Sequence, residues 1–287
     1  MRSVQTTDVT YIGVFLTFKC KFNCSYCINK HGNFKPRKEL SVSDWITGLN
    51  RLEIDRERKV PITLQGGEPS QYKGWLDVIS GIKEDIYIDI LTNLDFNETD
   101  FLRKVKAWRL NRDVPYASIR VSYHPETHDF YELTDRIKGL QQFGYDIGLF
   151  IVDHPNVKNL EYLKQVASNK GIDFRTKEFL GFFDNRIYGT YKYPEAVNGE
   201  LKQVECKTTE LLIAPDGHIH RCHRDLYSGD NPIAHILDKD LIIESKFKYC
   251  DKFGDCNPCD VKLKNNRFQE FGSCSVEIRE INNEDTN

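Results

Sequence analysis

Three cysteine thiols lie close together near the start of the chain. They are Cys20, Cys24 and Cys27, spaced C-x3-C-x2-C, and they follow an apolar run, Tyr11–Phe18, that is typical of a buried strand. Three thiolates on one loop can hold a soft metal centre. No fourth ligand is obvious in the loop, and a metal site with an open coordination position is typical of a centre that does chemistry.

A structural zinc site is the alternative interpretation of this loop. His31 lies four residues after Cys27 and could complete a Cys3His site. Zinc ligand pairs usually come from two separated pieces of chain, whereas these four residues belong to one loop. The spacing therefore favours a chemical centre over a zinc knuckle.

A second motif, Gly66-Gly67-Glu68-Pro69, follows the next predicted strand. The sites of parallel α/β folds lie at the carboxyl ends of strands, and this segment occupies such a position. Two glycines let the backbone come close to a ligand, and Pro69 stiffens the exit. By itself the segment could be an ordinary turn, so its meaning depends on the cysteine loop that precedes it.

The two motifs together, with Tyr26 before the last cysteine, resemble the signature of the radical S-adenosylmethionine (radical SAM) enzymes. The resemblance implies that Cys20, Cys24 and Cys27 bind three irons of a [4Fe-4S] cluster. It implies that S-adenosylmethionine (SAM) chelates the fourth iron through its amino and carboxylate groups. It further implies that Tyr26 lies near the adenine and that the Gly-Gly-Glu-Pro backbone binds the SAM amino group.

Apolar runs alternate with amphipathic segments up to about residue 180. The predicted strands are Tyr11–Phe18, Val60–Gln65, Ile86–Leu91, Ala117–Tyr123, Asp146–Val152 and Ile172–Phe179. Such alternation predicts an α/β fold with right-handed crossovers and a parallel sheet, either a partial barrel or a doubly wound open sheet. The radical SAM resemblance implies the (β/α)6 partial TIM barrel, since the cysteine loop follows strand one and the Gly-Gly-Glu-Pro segment follows strand two.

The intervening helices present apolar stripes to this sheet. Ser43 is predicted to cap the first helix, and the three tryptophans are predicted to be core residues on these stripes, namely Trp45, Trp75 and Trp108.

Polar residues follow the third, fourth and fifth strands. The resemblance implies that Asn93 and Ser122 contact the ribose or carboxylate of SAM; otherwise Asn93 is a turn residue and Ser122 a strand-end hydroxyl. Side chains past strands four and five could bind substrate or move protons, and His124 is the candidate catalytic residue. The other members of this group are Glu126, His128, Asp153 and His154.

Six further cysteines lie between residues 206 and 274, and none lies between Ile28 and Glu205. The sequence Cys206-x10-Gly217-x4-Cys222 encloses Pro215-Asp216-Gly217, a turn that predicts a β-hairpin and brings the two thiols together. The remaining four are Cys250, Cys256, Cys259 and Cys274. Disulfides are disfavoured in the cytosol, so this grouping favours a metal or redox role.

This second group resembles the SPASM and Twitch extensions of radical SAM enzymes, which carry auxiliary [4Fe-4S] clusters. The resemblance to Twitch implies one auxiliary cluster on Cys206, Cys222, Cys256 and Cys259. Cys250 could replace one of these ligands or join Cys274. The chain has six cysteines here where SPASM has seven, and the order of its gaps differs, so a second auxiliary cluster stays open. A zinc ribbon has the same spacings, and a spare thiol could instead donate a hydrogen atom to a substrate radical.

These patterns and the resemblance together predict the domains. We expect residues 1–180 to form the radical SAM partial barrel and residues 181–204 to be an irregular connector. We expect residues 205–275 to form the SPASM/Twitch-like iron–sulfur domain and residues 276–287 to be a tail.

Composition limits the classes of function. The chain has 287 residues, 39% of them hydrophobic, which suffices for a barrel and a small module. Its net charge is −3, from 40 basic and 43 acidic residues, so no basic excess indicates binding to nucleic acid or anionic lipid. No apolar run could span a bilayer and no signal-peptide core is present, which predicts a cytoplasmic protein.

The resemblance also implies a reaction. An electron donor such as flavodoxin or ferredoxin would drive cleavage of SAM to methionine and a 5′-deoxyadenosyl radical, which abstracts a hydrogen atom from the substrate. Relatives with this extension mostly modify ribosomally made peptides, so a peptide or protein is the expected substrate. Oxidation of a sugar, aminocyclitol or other small molecule is the alternative.

Two further points bear on this expectation. The chain begins 19 residues before Cys20, so the N-terminal leader-binding domain of many peptide modifiers is not expected. A non-catalytic iron–sulfur carrier or a zinc scaffold is a remote alternative, against which the Gly-Gly-Glu-Pro segment argues, because a carrier needs no SAM pocket.

Overall fold

The computed structural model describes residues 3–6, 9–30, 34–54, 57, 59–266 and 269–281, with only the backbone given for 265, 266 and 269–273. The strands are β1 (Val4–Gln5), β2 (Tyr11–Thr17), β3 (Leu52–Glu53), β4 (Ile62–Gly66), β5 (Ile88–Thr92), β6 (Ile119–Tyr123), β7 (Ile147–Asp153), β8 (Phe174–Glu178), β9 (Gly181–Phe183), β10 (Arg186–Tyr188), β11 (Lys202–Thr208), β12 (Glu210–Ile213), β13 (His218–His220), β14 (Ala234–His235), β15 (Lys248–Phe253), β16 (Lys264–Asn266), β17 (Gln269–Ser273) and β18 (Val276–Glu280). The α-helices are α1 (Val42–Leu49), α2 (Trp75–Gly81), α3 (Glu98–Lys104), α4 (Phe130–Gln142), α5 (Leu160–Asn169), α6 (His223–Ser228) and α7 (Pro258–Val261). Short 3-10 helices are Ile28–Lys30, Pro69–Gln71, Ala107–Arg109 and Pro194–Val197.

A nine-stranded sheet with the order β14-β13-β12-β2-β4-β5-β6-β7-β8 forms the centre of the molecule. Strands β2, β4, β5, β6, β7 and β8 are parallel to one another, with α1 to α5 between them in the chain. The predicted succession of six parallel strands is therefore confirmed, in the strand order expected of a partial barrel. Each parallel strand ends at the same edge of the sheet, called the carboxyl edge below.

The first parallel strand, β2, is buried on both faces. Ile12, Val14 and Leu16 pack in the main core with residues of the helices, whereas Phe15 packs on the other face with Leu212 and neighbouring residues. Alternate side chains of a strand point to opposite faces, which explains why a continuous apolar run forms this element.

Two details of the helices differ from the sequence predictions. Ser41 caps α1, not Ser43, and its hydroxyl accepts the N–H of Asp44 at 3.1 Å. Trp45 and Trp75 are buried as predicted, but Trp108 is 61% exposed. The prediction for Trp108 was wrong because α3 ends at Lys104. Trp108 lies on a separate 3-10 helix, so its side chain does not continue the apolar stripe of α3.

The predicted hairpin is present as β12 and β13, joined at Pro215-Asp216-Gly217. Its strand β12 also pairs in parallel with β2, from Glu210 opposite Tyr11 to Ile213 opposite Val14. The hairpin therefore extends the central sheet beyond its first parallel strand.

The C-terminal part adds a small antiparallel sheet with the order β15-β11-β18. Its strand Val276–Glu280 lies where the sequence predicted a tail from residue 276, because Val276 packs in the apolar cluster beneath this sheet. The residues predicted to be an irregular connector contain the hairpin β9–β10. Residues 282–287 of the predicted tail lie outside the described residues. In the described ranges, none of the helices has the length and apolar character needed to cross a lipid bilayer.

Candidate active site

The loop after β2 carries Cys20, Cys24 and Cys27 at the carboxyl edge. Cys24 is buried, Cys27 is half-buried and Cys20 is exposed. Burial, followed by the neighbouring charge of Cys27, raises the pKa of Cys24 to about 11. Burial also raises the pKa of Cys20, and Cys27 acts in the same direction. Thiolates so placed need a nearby cation, and the iron of a cluster would supply one, so the donor set fits an iron–sulfur centre. His31, the fourth ligand of the zinc alternative, lies outside the described residues.

The two glycines of the second motif lie against the chain that leads into this loop. The N–H of Gly67 donates to the Thr17 carbonyl at 3.0 Å, and the N–H of Glu68 donates to the Lys19 carbonyl at 2.8 Å. A Cβ added to Gly66, whose φ is +143°, would lie 2.1 Å from the Thr17 oxygen, and one on Gly67 would lie 2.3 Å from the Lys19 oxygen. The glycines are thus required for close approach of the two backbone segments, in addition to any approach to a ligand.

Glu68 braces two strand ends from inside. Its side chain is buried, and its carboxylate accepts the Thr92 hydroxyl at 2.8 Å, the Asn93 N–H at 2.7 Å and the Ser70 N–H at 3.1 Å. Burial raises the pKa of Glu68, and the hydrogen bonds from Asn93, Ser70 and Thr92 oppose that rise. The carboxylate is therefore occupied by the protein's own donors.

Asn93 lies beside the cysteine loop. Its Nδ2 approaches the Cys20 Sγ at 3.8 Å, and its Oδ1 accepts the Asp95 N–H at 2.9 Å. The structure thus brings Asn93 and Cys20 together across the ends of β5 and β2. Ser122 lies half-buried on β6, in register with Phe150 of β7.

Tyr26 lies among aromatic residues from the loops after β6 and β7. Its hydroxyl is 3.2 Å from Nδ1 of His124, and its ring stacks on His154 with centroids 5.2 Å apart. His154 also meets the rings of Phe179 and Phe183 edge-on, at 4.5 and 4.7 Å between centroids. Burial, followed by the neighbouring His128, lowers the pKa of His124 to about 4, so its ring is neutral near pH 7.

Glu126, in the loop after β6, is tied to the cysteine loop. Its carboxylate accepts both the N–H of Ser25, at 2.9 Å, and the Ser25 hydroxyl. The hydrogen bonds from Ser25 lower the pKa of Glu126. His128 lies two residues further along the same loop, where its Nε2 is 3.0 Å from the Asn93 carbonyl oxygen. Asp153 ends β7 with an exposed side chain.

Four C-terminal thiols form a ring of neighbours. Cys206 on β11 and Cys250 on β15 lie on adjacent antiparallel strands, and their thiols share a hydrogen bond. Cys222 caps α6, with its Sγ accepting the Asp225 N–H at 3.5 Å. A thiolate at Cys222 would raise the pKa of Cys206, one at Cys256 would raise that of Cys222, and one at Cys250 would raise that of Cys256. Each of the four is therefore within electrostatic range of two others.

The remaining two thiols have different neighbours. The Cys274 thiol donates to the Asp260 carbonyl at 3.1 Å. Burial raises the pKa of Cys259, and the charged groups that act on it include Lys262, Asp260 and Lys264. The contact between Cys250 and Cys206 is the kind expected if Cys250 replaces one of the four ligands that the resemblance to Twitch implies, and the ligand set stays a prediction.

A buried polar group near these thiols was missed at the sequence level. Glu210, His223 and Asp260 offer ligand atoms within 4.8 Å of one another. The ammonium of Lys264 bonds Glu210, and Nδ1 of His223 lies 2.8 Å from the Asp260 carboxylate. Lys264 already supplies a positive charge to this group. Its members come from separate elements, so no local spacing indicates their meeting.

A comparison with known protein families identifies the family to which this chain belongs. A model described as the radical SAM superfamily matches residues 14–166, which include both the cysteine loop and the Gly-Gly-Glu-Pro segment. The chain belongs to the radical SAM superfamily. Membership implies a [4Fe-4S] cluster and SAM as the cofactors of the enzyme.

Curated relatives match only in part. GTP 3′,8-cyclase of Agrobacterium fabrum is 31% identical over 87 residues, which cover 30% of this chain and 24% of the relative. The enzyme of the same name from Brucella ovis is 32% identical over 87 residues, with 30% and 25% covered. This radical SAM chain therefore spans about a quarter of the length of the curated relatives it matches.

Solved structures give a low overall similarity. SuiB of Streptococcus suis bound to S-adenosylmethionine aligns with a TM-score of 0.44 and 15% identity, covering 81% of this chain and 64% of that one. SuiB bound to the precursor peptide SuiA aligns with a TM-score of 0.43 and 14% identity, covering 81% and 63%.

Two side chains at the carboxyl edge were not identified as candidates from the sequence. Asn29 lies two residues after Cys27 and hydrogen-bonds the Gly66 carbonyl, and Tyr227 of α6 hydrogen-bonds Asn29. Proximity to Cys27 could have indicated Asn29. Nothing in the local sequence indicates Tyr227, because its partner is 198 residues away.

Proposed function

We propose that this radical SAM enzyme binds its cluster through Cys20, Cys24 and Cys27 and abstracts a hydrogen atom from a peptide or protein. The observation that carries the proposal is the pair of backbone hydrogen bonds joining Gly67 and Glu68 to the chain just before Cys20. They fix the thiol loop and the cofactor-binding segment as one unit. When bound, the cluster and SAM supply a carbon radical that removes hydrogen from an unactivated carbon.

Tyr26 and Asn93 have positioning roles in this proposal. The half-buried ring of Tyr26, which stacks on His154, provides an aromatic face for the adenine of SAM. The Asn93 amide, 3.8 Å from the Cys20 sulfur, provides a hydrogen bond to a cluster ligand. Ser122, on a neighbouring strand, provides a hydroxyl for the sugar or carboxylate of the cofactor.

His124 is proposed to hold Tyr26 in place. Nδ1 of its neutral ring can accept a hydrogen bond from the Tyr26 hydroxyl, across 3.2 Å. A second contact, from Glu126 to Ser25, ties the same loop to the cysteine loop. Both contacts keep the aromatic face oriented and limit the entry of water, as an enzyme that generates radicals requires.

Two features beside this edge favour a polypeptide substrate. Strand β8 is the last strand of the central sheet in the described part of the chain, and its residues Arg175–Glu178 are exposed. An unpaired strand edge can add an extended peptide through main-chain hydrogen bonds. The adjoining hairpin β9–β10 exposes Phe182 and Ile187, while its Phe183 contacts His154, so apolar side chains of a peptide would meet a surface next to Tyr26.

The C-terminal part is proposed to be a SPASM/Twitch-like module with one auxiliary [4Fe-4S] cluster. The ring of neighbouring thiols supports Cys206, Cys222, Cys250 and Cys256 as its ligands. These four are half-buried, and desolvation raises the pKa of Cys222 and Cys256, so cluster iron would stabilise thiolates that the protein alone disfavours. In this assignment Cys259 and Cys274 are not ligands.

Anaerobic reconstitution tests both centres. We expect about eight irons per chain in the wild type and about four in a Cys20→Ala/Cys24→Ala/Cys27→Ala variant, with 5′-deoxyadenosine released under dithionite only by the wild type. Four irons with tightly bound zinc would make the C-terminal site structural. If the triple variant keeps its iron and still releases 5′-deoxyadenosine, the assignment of the first site is wrong.

The substrate class is tested with the reconstituted wild type. A cell extract is separated by dialysis into a polypeptide fraction and a small-molecule fraction, and each is added to the assay in buffered deuterium oxide. We expect the polypeptide fraction to raise 5′-deoxyadenosine formation and to contain a peptide of changed mass, absent with the triple variant. Stimulation by the small-molecule fraction alone would favour oxidation of a sugar or similar compound.

A further inference from the structure

Helix α6 contacts the carboxyl edge through the side chain of Tyr227. Tyr227 is 2% exposed, and its hydroxyl donates to Oδ1 of Asn29 at 2.7 Å. The Nδ2 of Asn29 donates in turn to the carbonyl of Gly66 at 2.6 Å. Asn29 therefore connects a helix of the C-terminal part with the first glycine of the cofactor-binding segment.

Packing holds the ring of Tyr227 in one orientation. It meets Phe15 nearly at a right angle, with centroids 6.0 Å apart, and it lies 5.8 Å from Phe18 and 6.1 Å from His223. Phe15 belongs to β2 and Phe18 follows it, so the ring is packed against the strand that leads to the cysteine loop. The hydroxyl can reach Asn29 only because these contacts fix the ring.

The oxygen and the nitrogen of the Asn29 side-chain amide each make one hydrogen bond. An amide oxygen accepts and an amide nitrogen donates, and Asn29 does the first with Tyr227 and the second with Gly66. If a half-buried amide loses a hydrogen-bond partner, the folded state is destabilised because the amide stays desolvated without that bond. The orientation of Asn29, and with it the distance from Cys27 to Gly66, therefore depends on the hydroxyl of Tyr227.

We propose that Tyr227 is a positioning residue for SAM binding, acting through Asn29 to set the spacing between the cysteine loop and the Gly66–Pro69 segment. The inference rests on the proposed function, since it takes these two elements as the binding sites of cluster and cofactor. It links α6, which is capped by the proposed auxiliary ligand Cys222, to the cofactor site through Asn29.

The variant Tyr227→Phe removes the hydroxyl and keeps the ring. We expect the dissociation constant for SAM, measured by equilibrium dialysis on reconstituted protein, to rise about tenfold, because one hydrogen bond is lost at a partly buried amide. The matched control is Tyr145→Phe. Tyr145 is also buried and its hydroxyl donates to the Val105 carbonyl, but it precedes β7 at the opposite edge. The Tyr145→Phe variant should lose about as much thermal stability as Tyr227→Phe, while its affinity for SAM stays unchanged.

A double-mutant cycle with Asn29→Ala identifies the route. We expect Tyr227→Phe to weaken SAM binding in the wild-type background and to have no further effect when Asn29 is alanine. Equal losses in both backgrounds, or unchanged affinity in Tyr227→Phe, would overturn the inference. If Tyr227→Phe does not fold, Asn29→Ala decides alone, and unchanged affinity in that variant would overturn it.

The electron paramagnetic resonance spectrum of the reduced cluster gives a second measurement. SAM should alter the spectrum of the wild type at a concentration that leaves Tyr227→Phe largely unaltered, with equal iron in both proteins. If the wild type itself fails to bind SAM, the proposed function fails together with the inference. If it binds and the two proteins respond to SAM alike, only the inference fails.

Discussion

The carboxylate of Glu68 accepts the backbone N–H of Asn93 at 2.7 Å. This bond joins the segment after β4 to the end of β5, so the side chain of Asn93 is held toward the Cys20 sulfur. An acidic residue in a cofactor-binding segment suggests contact with the ligand, yet all three of its recorded partners here are the protein's own donors. Its role in the described structure is to hold strand ends together.

The first prediction concerns this carboxylate. Glu68→Gln places an NH2 group against an N–H or hydroxyl donor, so one buried donor loses its acceptor. We expect the free energy of unfolding to fall by about 2 kcal/mol, measured by denaturant titration, together with weaker SAM binding. The control is Glu161→Gln, at a side chain that is 86% exposed. If Glu68→Gln is as stable as the control, the hydrogen bonds of Glu68 do not stabilise the strand ends.

A second prediction uses two glycines. Gly67→Ala would put a Cβ 2.3 Å from the Lys19 oxygen, so the chain before Cys20 must move away. We expect loss of SAM binding and reduced iron at the first site. Gly139→Ala is the matched control, because its Cβ would meet nothing within 4 Å and it lies inside α4. That change should stabilise the protein by up to about 1 kcal/mol. Normal iron and SAM binding in Gly67→Ala would refute the close-approach argument.

The third prediction is a dependence of stability on pH. Burial and His128 lower the pKa of His124 to about 4, whereas the unfolded chain should have a value of about 6.5. Between these values the unfolded state binds more protons, so stability is fully present above about 6.5 and falls as the pH drops toward 4, by up to about 1.4 kcal/mol per pH unit for one proton. Glu126 faces the ring as well and partly offsets the shift.

The variant His124→Asn tests the source of that slope. The amide can still accept from Tyr26 but does not titrate in this range. We expect denaturant titrations from pH 7.5 to pH 4.5 to show a shallower loss of stability than in the wild type. An identical slope would assign the effect to other groups.

A fourth prediction separates the C-terminal thiols. If Cys206, Cys222, Cys250 and Cys256 hold the auxiliary cluster, Cys250→Ser should lower iron and the absorbance of that cluster, whereas Cys259→Ser should leave both unchanged. Each variant is compared in the background that lacks the first cluster, so that only auxiliary iron is counted. The opposite result would favour the ligand set that the resemblance to Twitch implies.

A fifth prediction concerns Arg221. Its guanidinium lies 3.9 Å from the Cys206 sulfur and also donates to the Tyr249 carbonyl. A positive charge beside a cluster favours the reduced state, so Arg221→Met should shift the auxiliary reduction potential downward and Arg221→Lys should shift it less. Arg279→Met, which removes an exposed partner of Glu205, is the control and should leave the potential unchanged. A redox titration followed by paramagnetic resonance measures all three.

The sequence predicted those features that depend on neighbours in the chain. Apolar runs such as Tyr11–Phe18 produce strands because both faces are buried, and all six predicted strands are present within about two residues. The cysteine loop and Gly66–Pro69 could be found because their spacing is short and their chemistry is specific. The prediction for Trp108 failed because a helical stripe was extended past the point where α3 ends.

Contacts between distant parts of the chain could not be predicted in the same way. Whether Cys250 or Cys259 approaches Cys206 depends on the pairing of β11 with β15, and the spacing of thiols does not encode that register. The bond from Tyr227 to Asn29 depends on α6 packing against β2. The pairing of β12 with β2 depends on the same arrangement.

That last pairing has a consequence for the order of folding. Strand β2 gains its neighbour β4 early in synthesis, but its other neighbour, β12, leaves the ribosome only after most of the chain. Until then one edge of β2 is open and Phe15 lacks the cover of Leu212 and Tyr227. Closing so long a loop costs entropy before the contacts repay it. A fragment ending before Glu210 would contain both cofactor motifs but would leave β2 without its neighbour β12, so we expect such a fragment to be less stable than the full chain.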